Sequence, residues 1–178
     1  MKRVILLSLL FCLSNGGAVA DGHTYPRMVL EDRPVGYRRF EEPGTRKKVE
    51  NLGSQETTLD GTYVDVTLTP ESATGALGQA AVFDRPASRV ELTSKISPWL
   101  NGTASLEFWI KTKQRGEGSW NAPAVFGADS NGDGNDLFWG TNDGGRIGVR
   151  RGDSGPAALT PEPIHDNDWH HVVLTRDH

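Results

Sequence analysis

The sequence predicts an all-β protein, an antiparallel two-sheet sandwich of the jelly-roll kind, on three observations. Short runs rich in β-branched and aromatic residues recur along the chain, separated by clusters of Gly, Pro, Asn and Asp. Beyond the N-terminal segment no stretch keeps an apolar 3.6-residue period over a window of about 11 residues, the minimum for an amphipathic helix. The 21 glycines and 10 prolines are spread throughout, so no long helix escapes interruption. At 178 residues, 36% hydrophobic and 24% charged, the chain has ordinary globular composition and is long enough for one domain with a core.

The N-terminal segment stands apart. Lys2 and Arg3 precede an apolar run from Val4 to Leu13, and the polar stretch after it ends in Ala18-Val19-Ala20. This order is that of a secretory signal, residues 1–20, with cleavage after Ala20 and a secreted product. The apolar run is shorter than the roughly 20 residues a spanning helix needs, so no membrane span is expected. Cleavage leaves 17 basic and 23 acidic residues, a charge of −6, which argues against a nucleic-acid partner. Cys12, the single cysteine, goes with the signal. The exported chain then has no disulfide, thiolate nucleophile or cysteine metal site.

Residues 21–27 show no period and are expected to be a short leader to a domain over 28–178. Val35 to Phe40 alternates well enough for a first strand, with Pro34 at its start. Residues 41–60 mix Glu41-Glu42 with Arg46-Lys47-Lys48 and turn formers, the pattern of a long solvated loop. Further strands are expected at Thr62 to Leu68, Ala80 to Phe83, Arg89 to Leu92, Ala104 to Thr112, Pro123 to Ala128, Leu137 to Gly140, Arg146 to Arg150 and His170 to Thr175. The clearest is Ala104 to Thr112: Ala104, Leu106, Phe108 and Ile110 share one face, the core face, and Glu107 and Lys111 share the other.

A polar, glycine-rich stretch runs from Ala128 into two apolar segments separated by Asn142-Asp143-Gly144-Gly145. Asp129, Asn131 and Asp133 place side-chain oxygens at alternate positions and Gly134 follows, the opening half of an oxygen-ligand calcium loop. The carbonyl of Asn135 falls at the seventh position, but Gly140 stands where a bidentate Glu closes such a loop. Asp136 or Asp143 is the expected replacement. From Gly116 to Gly145 there is no Lys or Arg, while Glu117, Asp129, Asp133, Asp136 and Asp143 all lie within the stretch. Such a cluster repels itself unless it is solvated or holds a cation. The aromatic and β-branched flanks make any calcium site here a loop between strands.

Several runs resemble a known family. Val35-Gly36-Tyr37-Arg38-Arg39-Phe40-Glu41-Glu42, Ala81-Val82-Phe83-Asp84, Val90-Glu91-Leu92, Leu106-Glu107-Phe108-Trp109-Ile110 and Asp168-Trp169-His170-His171-Val172-Val173-Leu174-Thr175-Arg176-Asp177 are similar to the laminin G-like, concanavalin A-like lectin/glucanase jelly rolls of secreted proteins. The last run is the most specific, and the resemblance covers roughly residues 28–178. It implies a two-sheet sandwich that binds carbohydrate or an extracellular protein at its loops or concave face, sometimes with calcium and usually without catalysis. Members generally continue past this final motif, so the resemblance also implies closing strands that a chain ending at His178 lacks.

Other chemistries fare less well. A retaining glycosidase needs two carboxylates about 5 to 5.5 Å apart; Glu107 is flanked at i±2 by Ser105 and Trp109, so a glucanase-type pair is missing from that strand. His170 and His171 are adjacent on a strand, point to opposite faces and cannot share one metal ion. Arg151-Gly152-Asp153 spells an adhesion tripeptide but suits an ordinary hairpin turn, and Asn101-Gly102-Thr103 is a glycosylation sequon. Trp120, in the loop Gly116 to Asn121, differs from the other tryptophans because a loop aromatic offers a sugar ring a flat apolar surface. The expectation is a non-catalytic recognition module, with a glycan-cleaving enzyme or a purely structural spacer as the alternatives.

Overall fold

The computed structural model describes residues 4–7, 24–43, 47–70, 78–94, 96–100, 103–116, 124–128, 137–151 and 156–177. Twelve strands run through them: β1 (Val4–Leu7), β2 (Lys48–Val49), β3 (Gly61–Val64), β4 (Thr67–Thr69), β5 (Ala80–Phe83), β6 (Arg89–Leu92), β7 (Ala104–Thr112), β8 (Ala124–Ala128), β9 (Leu137–Asp143), β10 (Arg146–Arg151), β11 (Pro156–Leu159) and β12 (Trp169–Arg176). Helices are few and short: α1 (Thr24–Glu31), a 3-10 turn at Glu56–Leu59 and α2 (Ser97–Leu100). All paired strands are antiparallel. They form a five-stranded sheet in the order β12-β7-β1-β5-β4, a four-stranded sheet β11-β10-β9-β8 and a three-stranded sheet β2-β3-β6.

The layers follow from alternation along β7. Phe108 and Ile110 point to one face and, with Val172 of β12, pack against Ile147 of β10 and Ile164. Leu106, Val125 and Leu174 close around them. Further along the same sheet, Ala81 and Phe83 of β5 and Leu68 of β4 meet Phe40, Val49, Tyr63 and Val90. The layer opposite the five-stranded sheet is therefore divided between two smaller sheets. Each fully buried aliphatic side chain here contributes about 1.5 to 3 kcal/mol by leaving water.

Three glycines shape the four-stranded sheet. Gly144 and Gly145 form the two-residue turn between β9 and β10 with φ of +62° and +85°, the turn type whose twist suits a hairpin. A Cβ on Gly145 would run into the His165 ring, and the positive φ strains any L side chain there. In the β9–β10 ladder Val149 pairs with Trp139 while Gly148 pairs with Thr141, which leaves Gly140 as an extra residue at φ +72°. This bulge bends β9 where Trp139 enters the core at 1% exposure.

Four expectations are corrected. Val35 to Phe40 is not a strand: Phe40 sits at φ +58°, which breaks extension, although its ring is buried. Thr62 to Leu68 is broken at Asp65, φ +50°, so that β3 and β4 belong to different sheets. Residues 41–60 are not a solvated loop, because Glu42, Val49, Asn51, Leu59 and Asp60 are all buried. Residues 24–31, where the sequence shows no period, are helical, with Tyr25 and Pro26 buried.

Polar side chains hold the 34–60 segment together with backbone bonds such as Leu52 N–H to the Tyr37 carbonyl at 2.8 Å. Asn51 Oδ1 accepts from the Tyr37 and Gly53 amides at 2.8 and 3.2 Å, and its Nδ2 donates to the Glu56 carbonyl at 3.0 Å. Asp60 Oδ1 accepts from the Asn51 amide at 2.8 Å, Asp60 Oδ2 meets Lys48 Nζ at 2.7 Å, and Arg38 donates to the Leu59 carbonyl. Glu42 accepts from the Glu50 amide at 2.8 Å and the Tyr63 hydroxyl at 2.5 Å. Burial and that bond to a carboxylate push the Tyr63 pKa up.

The Asn51 amide, aided by Lys48, holds the Asp60 carboxyl below its usual value of 3.8. A depressed carboxylate stabilises the fold above the unfolded-state value and loses that contribution as pH falls through the folded one. Asp60→Asn is therefore expected to cost about 1 to 3 kcal/mol at neutral pH. In thermal melts of both proteins from pH 7 downward, the gap in midpoint should begin to narrow near the ordinary Asp value of about 3.9 and keep closing as pH falls through the lower folded value.

Candidate functional site

The face of the five-stranded sheet opposite the core gathers polar and aromatic groups through the β7–β12 register. Trp109 pairs with His171, Glu107 with Val173, Lys111 with Trp169 and Ser105 with Thr175. Cross-strand partners on one face have Cβ atoms about 4.5 to 5.5 Å apart, so residues distant in sequence are brought within contact. His171 Nε2 lies 3.0 Å from Glu107 Oε1. An ionised carboxylate only accepts, so Nε2 carries the proton. The imidazole stacks on Trp109 with ring centroids 5.1 Å apart and planes at 26°.

Helix α1 caps one side of this cluster. Its Tyr25 hydroxyl donates to Glu107 Oε1 at 3.4 Å. The Tyr37 hydroxyl is pushed up to about 12, chiefly by burial; Arg39 opposes the shift, while Glu41 and Glu107 add to it. Trp169 packs over Ala80 and Val82 of β5 on the same face. The cluster is not sealed: the Glu107 and His171 side chains keep 31% and 23% of their exposure, and Val173 is 50% exposed. Beyond Glu107, the Ser105 and Thr175 hydroxyls meet at 3.3 Å at the surface.

The alternation expected of His170 and His171 holds. His170 turns away from Glu107 and lies 2.8 Å from Asp166 Oδ1. The Asp168 amide, with His170 second, lowers the Asp166 carboxyl below its ordinary value. Asp166 thereby ties the turn before β12 to the strand itself.

This arrangement orients an imidazole and offers an aromatic edge ringed by polar groups. A Ser-His-carboxylate relay would need a hydroxyl beside the ring, and the Ser105 hydroxyl is bonded to Thr175 instead. Among the described residues no three His, Cys, Asp or Glu side chains converge on a point that could hold a metal ion.

Of the residues singled out in the sequence, Trp120, Asp129, Asn131, Asp133, Asn135 and Asp136 lie outside the described residues, as do Asn101, Gly152 and Asp153. The frame of the 129–136 segment is described: Ala128 ends β8, Leu137 begins β9, and the two are register partners, so strands flank it on both sides. Asp143 is the last residue of β9, paired with Arg146 across the hairpin. Tyr25 and the Trp109–His171 stack were missed. The alternation of Ser105, Glu107, Trp109 and Lys111 marks one half of the cluster in sequence, but only the register shows which histidine faces it.

A family profile, Laminin_G_3, described as "Concanavalin A-like lectin/glucanases superfamily", matches residues 85–178, more than half of the chain. The chain belongs to this superfamily. The match covers β6 to β12 and thus every β7 and β12 residue of the cluster, while α1 and Tyr25 lie outside it. It is narrower than the 28–178 span of the resemblance read from the sequence. No curated protein and no solved structure matches the chain. No helix among the described residues of this lectin/glucanase-superfamily chain is long and apolar enough to cross a membrane.

The Glu107–His171 pair is partly exposed, and solvent-accessible pairs couple by about 0.2 to 1 kcal/mol. A double-mutant cycle of Glu107→Gln and His171→Gln, followed by urea unfolding at pH 7, is expected to give a coupling within that range. A coupling several times larger would make the pair a buried structural tie and not an accessible surface feature.

Proposed function

We propose that this lectin/glucanase-superfamily domain is an exported, non-catalytic recognition module that binds carbohydrate or an extracellular protein. One observation carries the reading. Glu107 is the only carboxylate on β7 or β12, and it is engaged by His171 and Tyr25. Glycoside cleavage needs a second carboxylate across the scissile bond, whereas recognition needs an aromatic surface with hydrogen-bonding groups at its edge. Trp109 with Glu107, His171 and the Ser105–Thr175 hydroxyls has that make-up, and the loop tryptophan Trp120 supplies a second platform in this proposal.

Calcium assists in this reading through Asp129, Asn131 and Asp133, the carbonyl of Asn135, and Asp136 or Asp143. Without a bidentate Glu and flanking helices the affinity is expected at about 10⁻⁴ to 10⁻³ M, as in extracellular modules. One millimolar calcium then adds about 0.4 to 1.4 kcal/mol of stability.

Binding is tested by screening the protein on a glycan array with and without calcium. Retained glycan lost on Trp109→Ala or Trp120→Ala, with no release of reducing ends, is the expected result. Release of reducing ends that Glu107→Gln abolishes would make the protein a glucanase, and no ligand under any condition would make it a spacer. Calorimetric titration should show calcium uptake that the Asp129→Ala, Asp133→Ala double variant loses; uptake unchanged in that variant would reduce the segment to a polar turn.

Export is part of the proposal, supported by the basic, apolar and small-residue order of residues 1–20. Mass spectrometry of secreted material should find Asp21 as the first residue, and a retained Met1 would contradict cleavage.

A further inference from the structure

Two donors converge on one oxygen of Glu107. His171 Nε2 lies 3.0 Å from Oε1, and the Tyr25 hydroxyl donates to that same atom at 3.4 Å. The other oxygen, Oε2, takes no hydrogen bond from the described residues. Among those residues the buried side-chain atoms without a partner belong to Arg38, Gln79, Trp139 and His165. Oε2 is therefore open to solvent, on a side chain that keeps 31% of its exposure.

The register sets what lies around that atom. Val173 faces Glu107 across the ladder and is 50% exposed, an apolar surface beside the carboxylate. Trp109, two residues along β7 on the same face, carries the stacked His171 ring. In the other direction the paired Ser105 and Thr175 hydroxyls lie at the surface. Residues i and i+2 of a strand are about 6.6 Å apart, so hydroxyl, carboxylate and aromatic rows follow one another at that spacing. A group that meets Oε2 finds apolar surface directly beside it. That combination suits a sugar, which has hydroxyls at its rim and C–H groups on its ring faces. Lys111, the cation on this face of β7, is four residues and about 13 Å along the strand, and is itself engaged.

We propose that Glu107 Oε2 is the atom by which this site selects a ligand hydroxyl, and that the ligand is an uncharged saccharide and not an acidic one. Tyr25 and His171 are positioning residues: by holding Oε1 they fix the plane of the carboxylate and the direction of Oε2 before the ligand arrives. A sugar hydroxyl donates to Oε2 in a charge-assisted bond, stronger than a neutral one. Preorganisation removes the cost of ordering the side chain on binding. A uronate carboxylate or sulfate ester placed there brings only acceptors and a like charge, and is rejected. Because Tyr25 lies in α1, outside residues 85–178, this selectivity is not carried by the matched span alone. It presupposes the recognition role proposed above and adds to it the class of glycan and the atom that reads it.

The test uses the full chain on an array of matched glycans, each neutral oligosaccharide beside the same backbone bearing uronate or sulfate. Neutral members should be retained at least about tenfold more tightly, the factor that one hydrogen bond to a charged group provides. For a retained glycan, Glu107→Gln should weaken binding by about tenfold, because the amide offers either a donor or an uncharged oxygen where Oε2 was. Tyr25→Phe should weaken binding in the wild type and change nothing in the Glu107→Gln background, whereas a purely structural role for Tyr25 would show equally in both. Equal or tighter retention of the acidic members would overturn the selectivity and leave recognition standing, as would a Glu107→Gln variant that binds its neutral glycan unchanged. Binding of no glycan at all would overturn carbohydrate recognition itself, and the selectivity with it. Should Glu107→Gln fail to fold, as judged by its thermal transition, the wild-type comparison of neutral and acidic members decides alone.

Discussion

Strand β7 carries the constraint on which the rest depends, because its alternate residues belong to two different environments and its two edges to two different partners. Phe108 and Ile110 fix the distance to the four-stranded sheet. Glu107, Trp109 and Lys111, one residue out of phase, are thereby placed on the opposite face. A slip of one residue against β12 would bury Glu107 among apolar groups and expose Phe108. The energetic penalty for that slip is what brings His171, and not His170, to Glu107. Core packing and site geometry are two consequences of one register.

The second layer is held by a different kind of force. Around Asn51, Asp60 and Glu42 the chain satisfies backbone donors with side chains instead of a ladder. Each such bond contributes only about 0.5 to 1.5 kcal/mol net, but an unmet buried donor costs more. The network therefore dictates where residues 34–60 lie more than it stabilises them. It also brings Phe40 and Val49 over Ala81, closing the core at the end of the sheet away from Ile147.

The two halves of the chain relate to family membership differently. Residues 85–178, which match the superfamily, supply the β7–β12 pair and the sheet that packs beneath it. The preceding residues supply α1, which reaches over the Glu107 cluster, and β1, β4 and β5, which complete the sheet. The aromatic and acidic cluster thus combines a family scaffold with a contact from outside the matched span.

By itself the sequence determined the all-β class, the bounds of β5 and β6, the nine residues of β7 and the division of its faces, because these depend on local alternation and on Gly and Pro punctuation. Asn142 to Gly145 marked only a break between two apolar segments; the structure makes it the β9–β10 hairpin, whose positive φ few residues other than glycine tolerate. Val35 to Phe40 misled, because alternation there serves burial, Phe40 turns at φ +58°, and scattered bonds to Leu52, Ser54, Gln55 and Asn51 replace a regular ladder. What only the tertiary structure decided is non-local: the division of the second layer into two sheets, the burial of Glu42 and Asp60, and the reach of Tyr25 to Glu107 across 82 residues of chain. Val4 to Leu7 is the sharpest case. Its composition marks an export signal, while its place between β7 and β5 follows from two unpaired strand edges, which no local pattern of residues can display.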